Sequence, residues 1–295
     1  MQATRRGHGT GPARQPCHLT DRPGCGTVRS PLTHSSLCIM TQRKPSGYIL
    51  YRGPSLLDGS PIVAIAITAS GNRKTGNMVQ TYILRDDMRP MQAVQTGADA
   101  AICGNCKHRP STGGACYVVV AQGPTVVFKG AQRGIYPFAV VDGTNGPFLG
   151  TDGHSITAGR VVRLGTYGDP AAVPARVWER LVMDAQGHTG YTHQWAQGAG
   201  SAPALRGLVM ASADSPEEAH MAQTMGWRHF RVMEAGAALL PREFECPASE
   251  EQGKRKTCAT CRACDGAQEG RALKASVAIV VHGSKARRFV PIRPA

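Results

Sequence analysis

The sequence predicts an α/β protein built from parallel βα units, with a cysteine-rich insertion near its C-terminal end. Two observations carry this prediction. Strand-like apolar runs alternate with helical segments between residues 160 and 233. Tight groups of cysteines then interrupt the pattern after residue 244, before a last apolar run resumes it. A chain of 295 residues has room for one large α/β domain or two modest ones.

Three apolar runs begin the globular part of the chain. Each is rich in β-branched or aromatic residues, as in Pro61-Ile-Val-Ala-Ile-Ala-Ile67, which is typical of buried strands. A short helix follows them, then two apolar stretches of undefined type and a Gly-rich loop. The strands are predicted at 47–51, 61–67 and 78–84, the helix at 90–96, the apolar stretches at 117–120 and 125–128, and the loop at 142–159.

The segment from 160 to 233 has the most regular pattern. Its predicted strands are 161–165, 189–193, 207–212 and 227–233, its predicted helices are 174–185 and 216–225, and a final strand is predicted at 276–281. The second helix has clear end signals, because Ser215 can cap its start, Pro216 suits the first turn and Gly226 follows its end. This alternation predicts a parallel sheet, either open or closed into a partial barrel.

Residues 1–39 differ from the rest of the chain. They are rich in Gly, Pro, Ser, Thr and Arg and have no apolar periodicity. We expect either a disordered basic tail or a stretch upstream of a true start at Met40. Residues 40–295 are then one α/β metal-binding domain, with a cysteine-rich subregion at 244–270.

The composition indicates which cellular compartment and which class of binding partner to expect. The net charge of +14 favours an acidic partner, with nucleic acid as the first candidate and a merely solvated basic surface as the alternative. No apolar run is long enough to be a secretory segment or to span a membrane. We therefore expect a cytoplasmic protein, in which clustered cysteines are more often metal ligands than disulfides.

Seven of the ten cysteines form two groups. The second group is Cys246-Pro247 followed by Cys258-x2-Cys261-x2-Cys264. Structural zinc usually takes two separated CxxC pairs, whereas CxxCxxC with a Cys-Pro is typical of ferredoxin-like clusters, although the Cys-Pro comes first here. This pattern favours a [4Fe–4S] cluster over zinc.

The first group is Cys103-x2-Cys106 with Cys116, and its occupant is left open by the sequence. Three thiolates could hold a [4Fe–4S] cluster with one iron free to bind a small molecule. With His108 they could instead form a four-ligand zinc site. A third alternative is one site shared with the second group.

Polar residues follow four of the predicted strands. Asp169, His193, Asp214 and His282 stand just beyond the strands at 161–165, 189–193, 207–212 and 276–281, respectively. In parallel α/β sheets the carboxyl ends of strands meet at one edge and carry the functional groups. These four residues are therefore the candidate catalytic residues, although each also has an ordinary structural role available to it as a turn or cap residue.

The order of motifs also carries a family resemblance. CxxC…Cys-Tyr is followed by Arg-x-Gly-x-Tyr-Gly-Asp, Gly-Tyr-Thr-His, Ser-x-Asp, Cys-Pro with CxxCxxC, and Val-x4-His-Gly. This order, across residues 47–284, is similar to a group of phage and mobile-element proteins, the mycobacteriophage family called gene product eighty-eight. That group in turn resembles radical S-adenosylmethionine enzymes.

The resemblance implies a partial or distorted TIM-like barrel and a cysteine triad, here Cys103, Cys106 and Cys116, holding a [4Fe–4S] cluster that binds S-adenosylmethionine. We assign Arg163, Tyr167 and Gly168 to cofactor binding. The triad spacing departs from the radical enzymes, which have CxxxCxxC where this chain has CxxC-x9-C. The function expected is a radical-type iron–sulfur enzyme acting on nucleic acid or a nucleotide, and the alternative is a zinc-stabilised, non-enzymatic phage protein that binds nucleic acid.

Overall fold

A computed structural model describes residues 44–71, 75–253, 255–267 and 274–289. The chain divides between Gln42 and Arg43, and the described part belongs to the second unit. The predicted tail at 1–39 and the predicted start at Met40 lie outside the described residues. Within them, every helix is too short or too polar to cross a membrane.

Eleven strands and six α-helices lie in the described part of the chain, and short 3-10 turns connect several of them. In chain order they are β1 Gly47–Pro54, β2 Pro61–Ile67, β3 Met78–Arg85, α1 Pro90–Thr96, α2 Ala100–Cys103, α3 Gly123–Gln132, β4 Val140–Val141, β5 Phe148–Leu149, β6 Val161–Tyr167, α4 Ala175–Val182, β7 Gly187–Thr192, β8 Met210–Ala213, α5 Pro216–Thr224, β9 His229–Met233, β10 Glu243–Glu245, α6 Cys258–Cys261 and β11 Ser276–Val280.

Nine of these strands form one mixed sheet in the order β1-β2-β3-β6-β7-β8-β9-β11-β10. The first three strands pair antiparallel. From β3 to β10 every pairing is parallel. The protein is therefore an α/β protein with a mostly parallel sheet, as the sequence predicts.

The core lies between the sheet and the helices that cover it. In α4 the buried face carries Trp178 and Leu181, and the Trp178 indole donates a hydrogen bond to the Pro170 carbonyl at 2.9 Å. In α5 only the small side chains of Ala219 and Ala222 are buried, so this helix packs closely on β8 and β9. Burial of these apolar faces is the main term that holds the layers together.

Most of the predicted elements are confirmed within a few residues. Ser215 caps α5 as predicted, since its hydroxyl accepts a hydrogen bond from the Glu218 amide at 3.2 Å. Three boundaries differ by three residues, the first because the strand predicted at 47–51 continues to Pro54. The helix predicted at 174–185 spans only Ala175–Val182. The strand predicted at 207–212 begins at Met210, because Leu208 and Val209 still donate hydrogen bonds to Leu205 in the preceding turn.

The topology brings the carboxyl ends of β6, β7 and β8 to one edge of the sheet, because these neighbouring strands are parallel. The first cysteine group follows α2, which packs on β3 beside β6. The second cysteine group is carried by the segment between β10 and β11. The sheet thus determines which predicted site residues meet.

Candidate functional site

The first cysteine group forms a compact loop after α2. The Cys106 amide donates to the Cys103 carbonyl at 3.2 Å, and the Cys116 amide donates to the His108 carbonyl at 2.9 Å. Gly114 permits this closure, since a Cβ there would lie 2.5 Å from the His108 backbone. Burial raises the pKa of the Cys103 thiol, and the nearby charges of Cys106 and Cys116 raise it further. The three thiols therefore face a common region.

This loop is attached directly to the strand ends. The amide of Asp169, after β6, donates to the Ile102 carbonyl at 2.6 Å. The Gln194 side-chain amide, after β7, donates to the Cys103 carbonyl at 3.1 Å. A Cβ on Gly104 would come within 2.4 Å of the Gln194 side chain, so glycine is needed where the loop touches the sheet. The cysteine loop and the edge of the sheet are consequently one assembly.

Asp169 is buried rather than open to solvent, with 6% of its surface exposed. Its carboxylate accepts hydrogen bonds from the amides of Ala171 at 3.0 Å and His193 at 2.8 Å. Burial raises its pKa, although these hydrogen bonds act in the opposite direction. Asp169 therefore has a structural role besides its place in the candidate site, because its carboxylate caps the turn at Pro170–Ala172 and fixes the end of β7.

His108, His193 and Asp214 form a cluster beside the cysteine loop. The His108 Nε2 lies 2.8 Å from Asp214 Oδ1, and the His193 Nε2 lies 3.7 Å from Asp214 Oδ2. One nitrogen or oxygen from each of the three residues lies within 4.8 Å of the other two. The structure thus joins two predicted catalytic residues, His193 and Asp214, to a histidine from the cysteine loop.

His282 does not join this cluster. Its ring stacks on Tyr117 with centroids 5.9 Å apart, and its Nδ1 lies 3.2 Å from the Val280 carbonyl oxygen. Tyr117 directly follows Cys116 in the chain, so His282 lies on the cysteine side of the site. Of the four predicted catalytic residues, His193 contacts Asp169 through its amide and Asp214 through its ring, and His282 is placed elsewhere.

The second cysteine group also converges. Burial raises the pKa of the Cys264 thiol to about 12, with contributions from the charges of Cys246, Cys258 and Cys261. The one-turn helix α6 begins with Cys258 and ends with Cys261, which places the two thiols on the same side of the helix, and a reciprocal hydrogen-bonded cap between Thr257 and Thr260 fixes its start. The described cysteines are all free thiols.

The sulfur spacing bears on which metal centre fits. Zn–S bonds of about 2.3 Å in a tetrahedron place thiolate sulfurs roughly 3.8 Å apart. Among the described residues, however, no three cysteine sulfurs lie within 4.8 Å of one another. The His108 Nε2 contacts Asp214, and among the described residues His108 is not grouped with the three cysteines. In each group at least one pair of sulfurs is thus farther apart than a tetrahedral zinc site requires.

Arg163 lies between the two cysteine groups. Its guanidinium donates a hydrogen bond to the Tyr117 hydroxyl at 2.7 Å and lies 5.4 Å from the centre of the Tyr191 ring. Tyr191 in turn lies close enough to Cys264 to lower the pKa of its thiol, although burial raises it more. Arg163 is 8% exposed, and no described carboxylate forms an ion pair with it. A buried cation is therefore near Cys258 of the second group and is linked to the first group through Tyr117.

Tyr167 and Gly168 occupy the end of β6. The Tyr167 hydroxyl is buried without a hydrogen-bond partner among the described residues, and the charges of Cys103 and Cys116 contribute, after burial, to raising its pKa. Gly168 has φ of +84°, and a Cβ there would lie 2.7 Å from Ile83. The backbone conformation and the contact with Ile83 therefore explain why glycine occupies position 168. Tyr167, in contrast, places a hydroxyl without a described partner near the first cysteine group.

The sequence separates His108 from Asp214 by 106 residues and gives no indication that they meet. Only the order of the strands in the sheet and the path of the cysteine loop bring them together. Compared with protein-family models, with curated proteins and with solved structures, the chain has no match.

Proposed function

We propose that this chain is an iron–sulfur protein of radical S-adenosylmethionine type, in which Cys103, Cys106 and Cys116 hold one [4Fe–4S] cluster. The second cluster is held by Cys246, Cys258, Cys261 and Cys264. The observation that carries the proposal is the sulfur spacing. Each group of thiols converges on its own region, yet no three described sulfurs are close enough to share one zinc ion.

Charge supports the same occupant. A cluster with thiolate ligands carries net negative charge, and a buried Arg163 without a described carboxylate partner stands between the two groups. Burying a guanidinium is costly unless an anion compensates it. Two anionic centres on either side of Arg163 would supply that compensation.

The unpaired Tyr167 hydroxyl supports a centre at the first group as well. A buried hydroxyl without a partner is rare, since it loses the hydrogen bonds that water would provide. A thiolate or sulfide at the first cysteine group would accept its hydrogen bond. Tyr167 would then hold the cluster in place from the end of β6.

Three protein thiolates leave one iron of a [4Fe–4S] cluster open to a small molecule, which the cluster can reduce by one electron. In this proposal Asp169 and Gln194 position the cysteine loop, and the strand ends form the floor on which the small molecule binds. The mostly parallel sheet would curve into the partial, TIM-like barrel that the resemblance implies. The charge of +14 favours an anionic substrate, and we propose nucleic acid or a nucleotide.

Paired cysteine variants test the proposal. Iron and acid-labile sulfide are measured in anaerobically purified full-length protein, in Cys116→Ala and in Cys261→Ala. Each variant should lose about half of the iron and sulfide if each group holds its own cluster. Met183→Ala is the control. Met183 is exposed at the end of α4, so this variant should keep the wild-type content of iron and sulfide.

Other outcomes are equally informative. Complete loss of sulfide in both variants, with each protein still folded by circular dichroism, would indicate one shared site. Zinc without sulfide in the wild type would overturn the proposal and favour the zinc-stabilised, nucleic-acid-binding alternative. The wild-type result does not depend on how the variants fold.

A further inference from the structure

We propose that His108, His193 and Asp214 bind a single divalent transition-metal ion, separate from both cysteine groups. Two imidazoles and one carboxylate from three different segments lie within 4.8 Å of one another. This ligand set is typical of non-haem iron(II) sites and is also used by catalytic zinc. Three protein ligands leave coordination positions open for water or substrate.

An ordinary histidine–aspartate hydrogen bond explains only part of the cluster. It accounts for the 2.8 Å contact between His108 and Asp214. It does not account for His193, whose Nε2 is buried without a hydrogen-bond partner among the described residues. That nitrogen lies 3.7 Å from the second oxygen of the same carboxylate, which is too far for a hydrogen bond. An ion between the three groups would satisfy it.

The supporting contacts fix each ligand from outside the cluster. The Asp214 amide donates to Glu218 Oε2 at 2.8 Å, and Glu218 also binds Lys107, the neighbour of His108, at 2.5 Å. The His193 amide donates to Asp169 at 2.8 Å. Such outer contacts orient metal ligands and are a regular part of metal sites.

Burial and charge favour a cation here. Asp214 is 3% exposed, and the ring of Phe289 stacks on His108 with centroids 5.6 Å apart, so the cluster is largely shielded from water. The Asp169 carboxylate accepts a hydrogen bond from the His193 amide, and the Glu218 carboxylate accepts one from the Asp214 amide, so two further acidic groups border the cluster. The Asp214 carboxylate between two imidazoles, with the Asp169 carboxylate at the His193 amide, favours a divalent cation over an anion at this position.

The site differs from the cysteine groups in the ions it would hold. Imidazole and carboxylate ligands suit iron(II), zinc, manganese or cobalt without sulfide, whereas the thiols suit iron–sulfur clusters. The site would place a Lewis-acidic ion next to the first cysteine loop, which carries both Cys106 and His108. The proposal stands on this geometry alone and does not require a cluster in either cysteine group.

Metal and sulfide analysis of the anaerobically purified full chain tests it. We expect about one metal ion per chain in excess of acid-labile sulfide. His108→Ala and His193→Ala should lose that ion and keep the wild-type sulfide content. The matched control is His154→Ala, an exposed histidine on the loop after β5, which should keep both.

A cobalt titration keeps the test independent of variant folding. Wild-type protein dialysed against a chelator should bind Co²⁺ saturably at about one equivalent, with visible bands of nitrogen and oxygen ligands and without thiolate charge transfer. Loss of an outer contact typically weakens metal binding by roughly 10–100-fold. Each histidine variant loses a direct ligand, so its affinity for Co²⁺ should fall by more than this factor.

Two results would overturn the proposal. One is a wild type with no metal beyond its sulfide content and no saturable Co²⁺ binding. The other is a parallel loss of sulfide in His193→Ala and His108→Ala with the fold intact, which would make these residues supports of the cysteine centre. Absence of sulfide in a wild type that still binds one Co²⁺ would reject the proposed function and leave this site standing.

Discussion

Asp169 shows how a single residue can belong to the fold and to the candidate site at once. Its carboxylate accepts backbone hydrogen bonds at the end of β6 and at the start of the segment after β7, while its amide binds the loop of the first cysteine group. Its place after a strand could be predicted from the sequence. Its burial could not, because the covering loop comes from residues more than 60 positions away.

The first prediction concerns Asp169→Asn. One carboxylate oxygen is replaced by an NH₂ group, which cannot accept a hydrogen bond. One of the two buried backbone amides that Asp169 binds therefore loses its partner. We expect a loss of about 1–3 kcal/mol in the free energy of unfolding, measured by urea denaturation under anaerobic conditions. The exposed Asp58→Asn keeps an amide oxygen that can accept a hydrogen bond from the Ser60 amide as the carboxylate does, so it should cost less than about 0.5 kcal/mol. Equal effects in the two variants would contradict this account of Asp169.

The second prediction concerns Gly104→Ala. The backbone there has φ of +53°, and the new Cβ would displace the buried Gln194 amide that binds the Cys103 carbonyl. We expect a loss of about 1–3 kcal/mol in stability and a drop in the metal content of the first cysteine group. The measurements are urea denaturation and elemental analysis.

Gly97→Ala is the matched control for this change. Gly97 also has positive φ, at +79°, but a Cβ there meets nothing within 4 Å. The Gly97→Ala variant should therefore lower the free energy of unfolding through backbone strain alone and leave the metal content unchanged. If Gly97→Ala reduces the metal content as much as Gly104→Ala does, the contact with Gln194 is not what positions the cysteine loop.

At the scale of elements, the strands with strong apolar runs could be predicted, and the elements with mixed signals could not. The apolar stretch at 125–128 illustrates the difference: the β-branched Thr125, Val126 and Val127 favour a strand, yet they lie in α3, where Pro124 suits the first turn. The three-residue strand β10 has the sequence Glu-Phe-Glu, which has no strand pattern of its own. It exists because its backbone pairs with β11.

A buried charge network secures β10 to the sheet. Glu243 accepts hydrogen bonds from Arg231 at 2.6 and 2.8 Å and lies 2.8 Å from the His229 ring nitrogen, both on β9. Strand β11 lies between β9 and β10, and its residue beside Glu243 is Ser276, whose small side chain leaves room for these contacts. Burial alone would raise the pKa of Glu243, but the hydrogen bonds from Arg231 and His229 lower it to about 2.

The third prediction follows from this network. Glu243→Gln leaves the buried Arg231 without its counter-charge, so we expect a loss of about 3–5 kcal/mol in stability. Because the folded pKa of Glu243 lies below its ordinary value of 4.5, its contribution is fully present above that pH and is lost as the pH falls toward 2. The difference in the free energy of unfolding between Glu243→Gln and the wild type, measured by urea denaturation, should therefore be constant at every pH above 4.5.

Glu245→Gln provides the control on the same strand. Glu245 is only partly buried and accepts a hydrogen bond from Gln252 at 2.7 Å, so its replacement should cost less than about 1 kcal/mol. A small effect of Glu243→Gln, comparable with that of Glu245→Gln, would show that the network contributes little to holding β10.

At the scale of the whole molecule, the sheet order determines the site. The strand ends could be matched with their polar residues from the sequence, and both cysteine groups could be recognised by their spacing. The meeting of His108 with His193 and Asp214, and the position of Arg163 between the cysteine groups, depend on long-range packing that no local pattern contains.

The fourth prediction concerns the excess positive charge. Arg287 and Arg288 are exposed in the turn just before Phe289, which covers His108. If nucleic acid binds near the site, replacing both by Ala should weaken binding at low salt and reduce the slope of log K against log salt by about 2. Arg133→Ala, exposed at the end of α3, should leave the slope nearly unchanged. Equal slopes in all three proteins would exclude this surface as a contact.

The most direct test of the central claim is the content of iron, zinc and acid-labile sulfide in the anaerobically purified wild-type chain. Two [4Fe–4S] clusters predict about eight sulfides per chain, with at least as many iron ions, and a brown protein with charge-transfer absorbance. A colourless protein that contains zinc and no sulfide, or one that contains no metal at all, would contradict the account.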